Sequence, residues 1–257
     1  MLKRLLPYRD LLYIYIWREF NIRYRQSIIG ALWAIIQPLS MMLLFTFVFT
    51  YIFKFKISGY PRPVFFYAGL LPWTFFSSSV NYSFSSLTGN YNLITKIYFP
   101  REILPLSGIA IAFLDYIVAS LIFIPMLMIF KIHITLYALW IIPLLTLLFF
   151  FTTAVSLFLS SLNVYYRDVK LATGFVIQLL FFASPILYSI DDLSLKLKLV
   201  LFLNPLTFII ENMRRCVIEG RGVVLWQFVF ASIIVGVFYV LSYRFFTKTE
   251  RDFADVI

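Results

Sequence analysis

From Gln26 to Phe53 the chain carries no ionisable side chain except the phenol of Tyr51. Such a run exceeds the roughly 20 apolar residues that a helix needs to cross the bilayer core. The sequence before it is studded with charge and ends on a basic pair, Arg23 and Arg25. A charged amphipathic segment therefore gives way to a membrane-spanning one within a few residues. The remainder obeys the same constraint: of 257 residues 62% are hydrophobic and only 13% charged, against about 25% charged in a soluble domain. Long unbroken apolar runs argue for helices, because barrel strands alternate lipid-facing and lumen-facing residues. The expected class is an all-α integral membrane protein.

Basic residues outnumber acidic ones, 22 to 12. In a membrane protein Lys and Arg flank the spans and hold orientation, so nucleic acid is not an expected partner. A single cysteine, Cys216, excludes an intrachain disulfide and a Cys-based metal site, and a single histidine, His133, excludes a His cluster. No metal and no cofactor are expected. The chain has no G-x-x-x-x-G-K-[ST] phosphate loop, no G-x-S-x-G elbow and no H-E-x-x-H pair. A transporter subunit without its own ATPase site fits better than an enzyme. No cleavable signal peptide is expected, since the first apolar run begins late and is too long.

Residues 1–25 read as an interfacial helix. Leu12, Tyr13, Ile16, Trp17, Phe20 and Tyr24 share one arc, with Arg18, Asn21 and Arg25 opposite. Six spans follow, at 28–53, 64–87, 106–130, 136–162, 171–188 and 224–243. Between the second and third lies a polar segment, Asn90 to Pro105. Between the fifth and sixth, residues 189–223 hold an apolar stretch, Leu199 to Ile210, that Asn204-Pro205 interrupts. It is too short to cross, and a re-entrant pair of short helices fits its length. The segment from Arg244 onward reads as a charged, aqueous tail. Six spans put both termini on one side, which then holds thirteen of the 22 basic residues. That surplus, six of them beside the first span, predicts a cytoplasmic location for both termini.

Polar stripes run along several spans at the 3.6-residue period. The second presents Thr74, Ser77, Ser78, Asn81, Ser85 and Thr88, and the fourth presents Thr152, Thr153, Ser156, Ser160 and Asn163. Small hydroxyl stripes let helices pack closely and bond across the contact, which is the reading preferred here. The first span presents Trp33, Gln37, Ser40, Leu44, Phe47 and Tyr51, and the fifth Gly174, Gln178, Phe181, Pro185 and Tyr188. Aromatic and amide side chains suit a carbohydrate conduit, the rings stacking on sugar faces and the amides meeting hydroxyls. Trp33 and Tyr51 equally fit as interface anchors at the two ends of a span. Asp115 is the one carboxylate in mid-span, where such a group needs a partner; a structural hydrogen bond is the expectation.

These residues together resemble the polysaccharide-exporting ABC-2-type permeases. The resemblance rests on Arg23-Tyr-Arg-Gln-Ser-Ile-Ile-Gly-Ala-Leu-Trp33 with Pro38, Gly69-Leu-Leu-Pro-Trp73, and Asn92-Leu-Ile-Thr-Lys96 with Phe99-Pro-Arg-Glu-Ile-Leu-Pro105. It continues through Leu162-Asn-Val-Tyr-Tyr-Arg-Asp168, Ser184-Pro-Ile-Leu-Tyr188, and Asn204-Pro205 with Arg214. The nearest likeness is to permeases for O-antigen lipopolysaccharide, with teichoic-acid and capsule exporters as near relatives. An ion-coupled secondary transporter is the alternative class.

The resemblance implies a homodimer in the bacterial inner membrane, bound to two copies of a separate ATPase and moving a lipid-linked polysaccharide. It implies ATPase coupling through Arg23, Arg25, Asn92, Lys96, Phe99, Arg101, Glu102, Asn163, Arg167 and Asp168, the last two paired. Trp33, Gln37, Ser40, Phe47, Tyr51, Gln178, Phe181 and Tyr188 would line the conduit, and Asn204, Pro205 and Arg214 would belong to an outer gate.

Overall fold

A computed structural model describes residues 1–25, 27–53, 60–166, 168–191 and 193–253. Arg167, assigned to coupling above, lies outside the described residues. The described residues form helices and no strand. Their order is α1 (Leu2–Leu5), α2 (Arg9–Tyr24), α3 (Trp33–Phe47), α4 (Arg62–Phe84), α5 (Tyr91–Ile94), α6 (Ile103–Ile129), α7 (Ile141–Tyr165), α8 (Val169–Phe182), α9 (Leu195–Leu201), α10 (Pro205–Val217) and α11 (Leu225–Thr249). Among the described residues, four helical stretches are long and apolar enough to cross a membrane: Gly30–Ile52, Ile103–Ile129, Leu136–Tyr165 and Leu225–Asp252.

The centre is α4. Its residues are less apolar than those of the four stretches above, yet most are buried, including Phe65, Phe66, Tyr67, Phe75 and Phe76. It packs most extensively against α6, and also against α7, α3 and α10. The α4–α6 crossing is close because Gly108 has no side chain: a Cβ there would lie 3.0 Å from the Tyr82–Ser83 backbone. Ser83 adds a hydrogen bond from its hydroxyl to the Pro105 carbonyl, 2.8 Å. A small residue at a crossing of this kind replaces the hydrophobic effect, which does not draw helices together within lipid.

Several boundaries differ from the sequence reading. Pro7 sits in a 3-10 turn, Leu6–Tyr8, between α1 and α2 instead of opening one continuous helix. On α2, Tyr13 and Trp17 of the aromatic arc face outward while Tyr24 is buried, so protein and surroundings each take part of it, and Tyr15, outside the arc, is buried as well. The fifth apolar run stops as a helix at Phe182, and α8 has 14 residues. At 1.5 Å per residue it spans about 21 Å, short of the roughly 30 Å hydrocarbon core. The last helix runs on to Thr249, and a 3-10 turn, Glu250–Asp252, delivers Phe253 into a buried position. The stretch read as an aqueous tail is thus folded back onto the protein as far as Phe253.

Two hydrophobic cores result. The larger lies within the bundle around α4. The smaller joins Tyr15 of α2, Leu87, Ile94, Phe99, Ile103, Leu104, Leu157, Val164, Phe246 and Phe253. We call the end of the molecule that holds this second core proximal, and the opposite end distal.

Candidate functional site

The proximal end is built around the α4–α6 connection. Ile94, Phe99 and Pro100 point inward, whereas Tyr91, Asn92, Thr95, Lys96, Ile97 and Tyr98 are exposed. Tyr98 is 85% exposed and Ile97 58%. Large apolar side chains on show beside Lys96 make a surface of the kind that partners cover. Of the residues assigned to coupling, Asn92 and Lys96 stand on this surface, and Asp168, the residue before α8, is also exposed. Phe99, Glu102 and Asn163 are buried behind it. Asn163 donates its amide to the Phe84 carbonyl at 3.2 Å and to Thr88 at 3.3 Å, so the end of α7 holds the start of the connection. Arg18 of α2 donates to the Asn90 side chain at 2.7 Å.

Behind the connection sits a charge cluster. Glu102 is fully buried and faces Arg4 at 3.4 Å. Arg4 also pairs with Glu250 at 2.8 Å, and Glu250 accepts from the backbone N–H of Arg101 at 3.1 Å. The Arg101 guanidinium donates to the Glu250 carbonyl. Burial outweighs the Arg4 cation and pushes the Glu102 carboxyl above the usual carboxylate range. The sequence offered no signal for Arg4 or Glu250, whose partners lie 98 to 246 residues away.

Arg23 and Arg25 separate in role. Both are exposed, but Arg23 also stacks over the Tyr82 ring at 3.6 Å and faces Asp115 at 3.7 Å. Tyr24 donates its hydroxyl to the same carboxylate. The end of α2 is therefore clasped to the middle of α6, and Asp115 has the structural hydrogen bond expected of it. A cavity of about 60 Å³ adjoins the clasp, lined by Trp33, Gln37, Thr74 and Ser78 among others.

The proposed conduit face of α3 is open. Trp33, Gln37, Ser40, Leu44, Phe47 and Tyr51 are all exposed in the single chain, with Phe47 and Tyr51 ring to ring at 5.2 Å. On α8, Gln178 is exposed together with Leu171, Phe175, Leu179 and Phe182. Phe181 is half-buried, wedged against Phe45 at 5.9 Å and Trp73 at 5.4 Å, and joins α8 to α3 and α4. Tyr188 is also half-buried, with its hydroxyl donating to the Phe182 carbonyl at 3.4 Å.

The hydroxyl stripes part company. Thr152, Thr153, Ser156 and Ser160 on α7 are buried, as packing predicts. On α4, Thr74, Ser77 and Ser78 are only half-buried and Asn81 and Ser85 are exposed, leaving this stripe as the open side of an otherwise enclosed helix.

At the distal end three sequence motifs meet in one lock. Asn204 caps α10, accepting from the Leu206 N–H at 3.1 Å, and donates to Ser184 at 3.1 Å. Pro205 occupies the first turn, where its missing N–H costs nothing. Arg214 is 3% exposed. Its guanidinium donates to the carbonyls of Phe65 at 3.2 Å, Ile186 at 2.7 Å and Pro185, and lies 3.7 Å from the centre of the Phe65 ring. Glu211 is 3.9 Å away as counter-charge. Gly69 makes room: a Cβ there would collide with the Arg214 guanidinium.

Comparison with known proteins places this arrangement. The chain is 29% identical over 250 residues to the O-antigen export system permease protein RfbA of Klebsiella pneumoniae, covering 96% of this chain and 95% of that protein. It is 30% identical over 232 residues to the protein of the same name from Myxococcus xanthus, covering 86% and 85%. It is 25% identical over 213 residues to the polysialic acid transport protein KpsM of Escherichia coli, covering 79% of each. The profile of the ABC-2 type transporters matches residues 10–218, from α2 through the Arg214 lock, and the chain belongs to that family.

Proposed function

We propose that this chain is the permease subunit of an ATP-driven exporter that moves a lipid-linked polysaccharide of O-antigen type across the bacterial inner membrane. Two copies form the conduit, and two copies of a separate ATPase supply the energy. The reading draws on the names of the relatives, and the single observation that carries it is the open face of α3. A helix within lipid gains nothing by displaying Gln37 and Ser40 to hydrocarbon. Alternated with Trp33, Phe47 and Tyr51 beside the hydroxyl stripe of α4, they make a wall that stacks on sugar rings and exchanges hydrogen bonds with hydroxyls. A second copy facing α3 and α8 encloses that wall.

In this reading the proximal end is cytoplasmic and the exposed Tyr91–Tyr98 surface docks the ATPase. α4 and α8 join the four long stretches as spans, the latter completed by residues up to Tyr188. α9 and α10 form the re-entrant outer gate, held by Arg214. The ATPase biases the permease between a closed state and one open to the glycan chain. The test is reconstitution of the purified chain in vesicles with and without its ATPase, following glycan transfer. Transfer is expected only with the ATPase and ATP; ATP-independent transfer would overturn the coupled reading.

A further inference from the structure

At the proximal end, a short hook after α11 does more than end a helix. Phe253 inserts among Phe246 (5.6 Å between ring centres), Tyr165 (6.4 Å) and the Arg101 guanidinium (5.9 Å). Tyr165 adds hydrogen bonds to the Thr249 carbonyl and the Asp252 carboxylate, both 3.4 Å. Glu250 then grips the connection itself. Its carboxylate takes the backbone N–H of Arg101 and its carbonyl takes the Arg101 side chain. Residue 101 follows directly on the exposed Ile97–Tyr98 surface and the buried Phe99-Pro100.

The Asn163 and Arg18 bonds fix the start of the connection at Thr88 and Asn90; beyond them it has little but apolar packing and Glu250 to fix its pose. Its helix α5 has four residues, too few to be stable alone. Its buried anchors, Ile94 and Phe99, sit in the smaller core to which Phe246 and Phe253 contribute. A backbone N–H held by a carboxylate and a guanidinium held by a carbonyl constrain both the main chain and the side chain of one residue. The two bonds oppose rotation of the segment about Arg101, whereas apolar packing alone permits sliding. Arg4 shares the same carboxylate at 2.8 Å, so the start of the chain and the hook close on the segment from two directions.

We propose that Glu250, seated by Phe253, is a positioning residue for ATPase docking: the hook sets the pose of the Tyr91–Tyr98 surface that the partner meets. The inference rests on the docking role proposed above for that surface. It makes α11 a mechanical member of the docking platform, with no contact of its own to the partner required.

The experiment uses the full-length permease co-expressed with its ATPase, in wild-type form and as Glu250→Ala, Glu250→Gln, Phe253→Ala and Tyr98→Ala. Co-purification of the ATPase, ATP turnover in vesicles and the unfolding midpoint of the permease are measured for each. Glu250→Ala is expected to weaken ATPase association about tenfold, the scale of a lost charge-assisted hydrogen bond, with little change in the midpoint. Glu250→Gln, whose amide oxygen still accepts from the Arg101 N–H, should recover most of it. Phe253→Ala should weaken association at least as much, and it should lower the midpoint as well because its ring is buried in the smaller core. Should Glu250→Ala bind and turn over normally while Tyr98→Ala does not, the positioning role falls and the docking surface stands. Normal behaviour of both would overturn the docking surface as well. Equal losses in the Ala and Gln variants, in step with a fallen unfolding midpoint, would mean a purely structural role and also overturn the proposal.

Discussion

Single residues at the two ends solve the same problem, a charge inside a fold, in different ways. Arg214 is enclosed, and its hydrogen bonds go to main-chain carbonyls of two other segments. Removing it orphans those acceptors and leaves Glu211 without its counter-charge. Arg214→Met is expected to destabilise the protein by about 3–5 kcal/mol, measured by thermal or denaturant unfolding in detergent. Gly69→Ala attacks the same lock from the other side and should cost about 1–3 kcal/mol by overpacking. Glu102 at the proximal end is instead a carboxyl held above its ordinary range by burial. A raised folded-state value means that the folded form takes up its proton more readily than the unfolded one. Its stabilisation is complete below the unfolded value and is lost as pH rises through the folded one. The groups that face it, Arg4, Glu250, Tyr243 and the N-terminal amine, remain in a Glu102→Gln variant. The wild type should therefore gain stability relative to Glu102→Gln as pH falls from neutral through the acidic range, read from unfolding midpoints across pH.

At the scale of elements, α3 and α8, the two proposed walls of the conduit, are not equally free. Phe47 and Tyr51 touch each other and stand open, so replacing both by Ala should reduce glycan transfer with little effect on the unfolding midpoint. Phe181 is packed against Phe45 and Trp73, so Phe181→Ala should lower stability as well as transfer. Measuring both quantities on the same preparations separates a lining role from a packing one. The clasp of Tyr24 and Arg23 on Asp115 belongs to this scale too, because it ties α2 to the middle of α6 beside the foot of α3. Asp115→Asn keeps an acceptor for the Tyr24 hydroxyl and is expected to leave transport largely intact, which an ion-coupled transporter using this carboxylate would not survive.

The whole molecule joins the exposed Tyr91–Tyr98 surface at one end to a buried lock at the other through helices that run the full distance. α11 has 25 residues and is about 37 Å long; it meets the Glu250 hook at the proximal end and packs on α10 at the distal end, where Phe228 lies 6.2 Å from Phe208. The exposed faces of α3 and α8 are the ones that the proposed second copy would cover. A single cysteine placed at Leu44 or Leu179 on the Cys216→Ala background should crosslink two copies in membranes, detected as a doubled mass on non-reducing gels. Residues that face lipid would not give this product.

How much of this was written in the sequence depends on the range of the physics involved. Hydropathy and the 3.6-residue period are local, so they determined the helical class, the long apolar stretches, the break at Asn204-Pro205 and the face of α3 on which Gln37 and Ser40 stand. Local pattern also marked Asp115 as needing a partner. It did not name Tyr24 and Arg23, because a partner is set by how α2 lies on α6. Nor did it separate the two hydroxyl stripes, identical in kind, of which α7 buries one and α4 leaves the other open. The fate of residues 250–253 was decided only in three dimensions: four residues of mixed polarity have no period to read, and a core assembled from α2, residues 87–104 and α7 gave them a place. Composition thus determined which solvent each segment prefers. Tertiary packing decided which neighbour each polar group meets, since hydrogen bonds and ion pairs act over a few ångströms between residues as many as 246 positions apart.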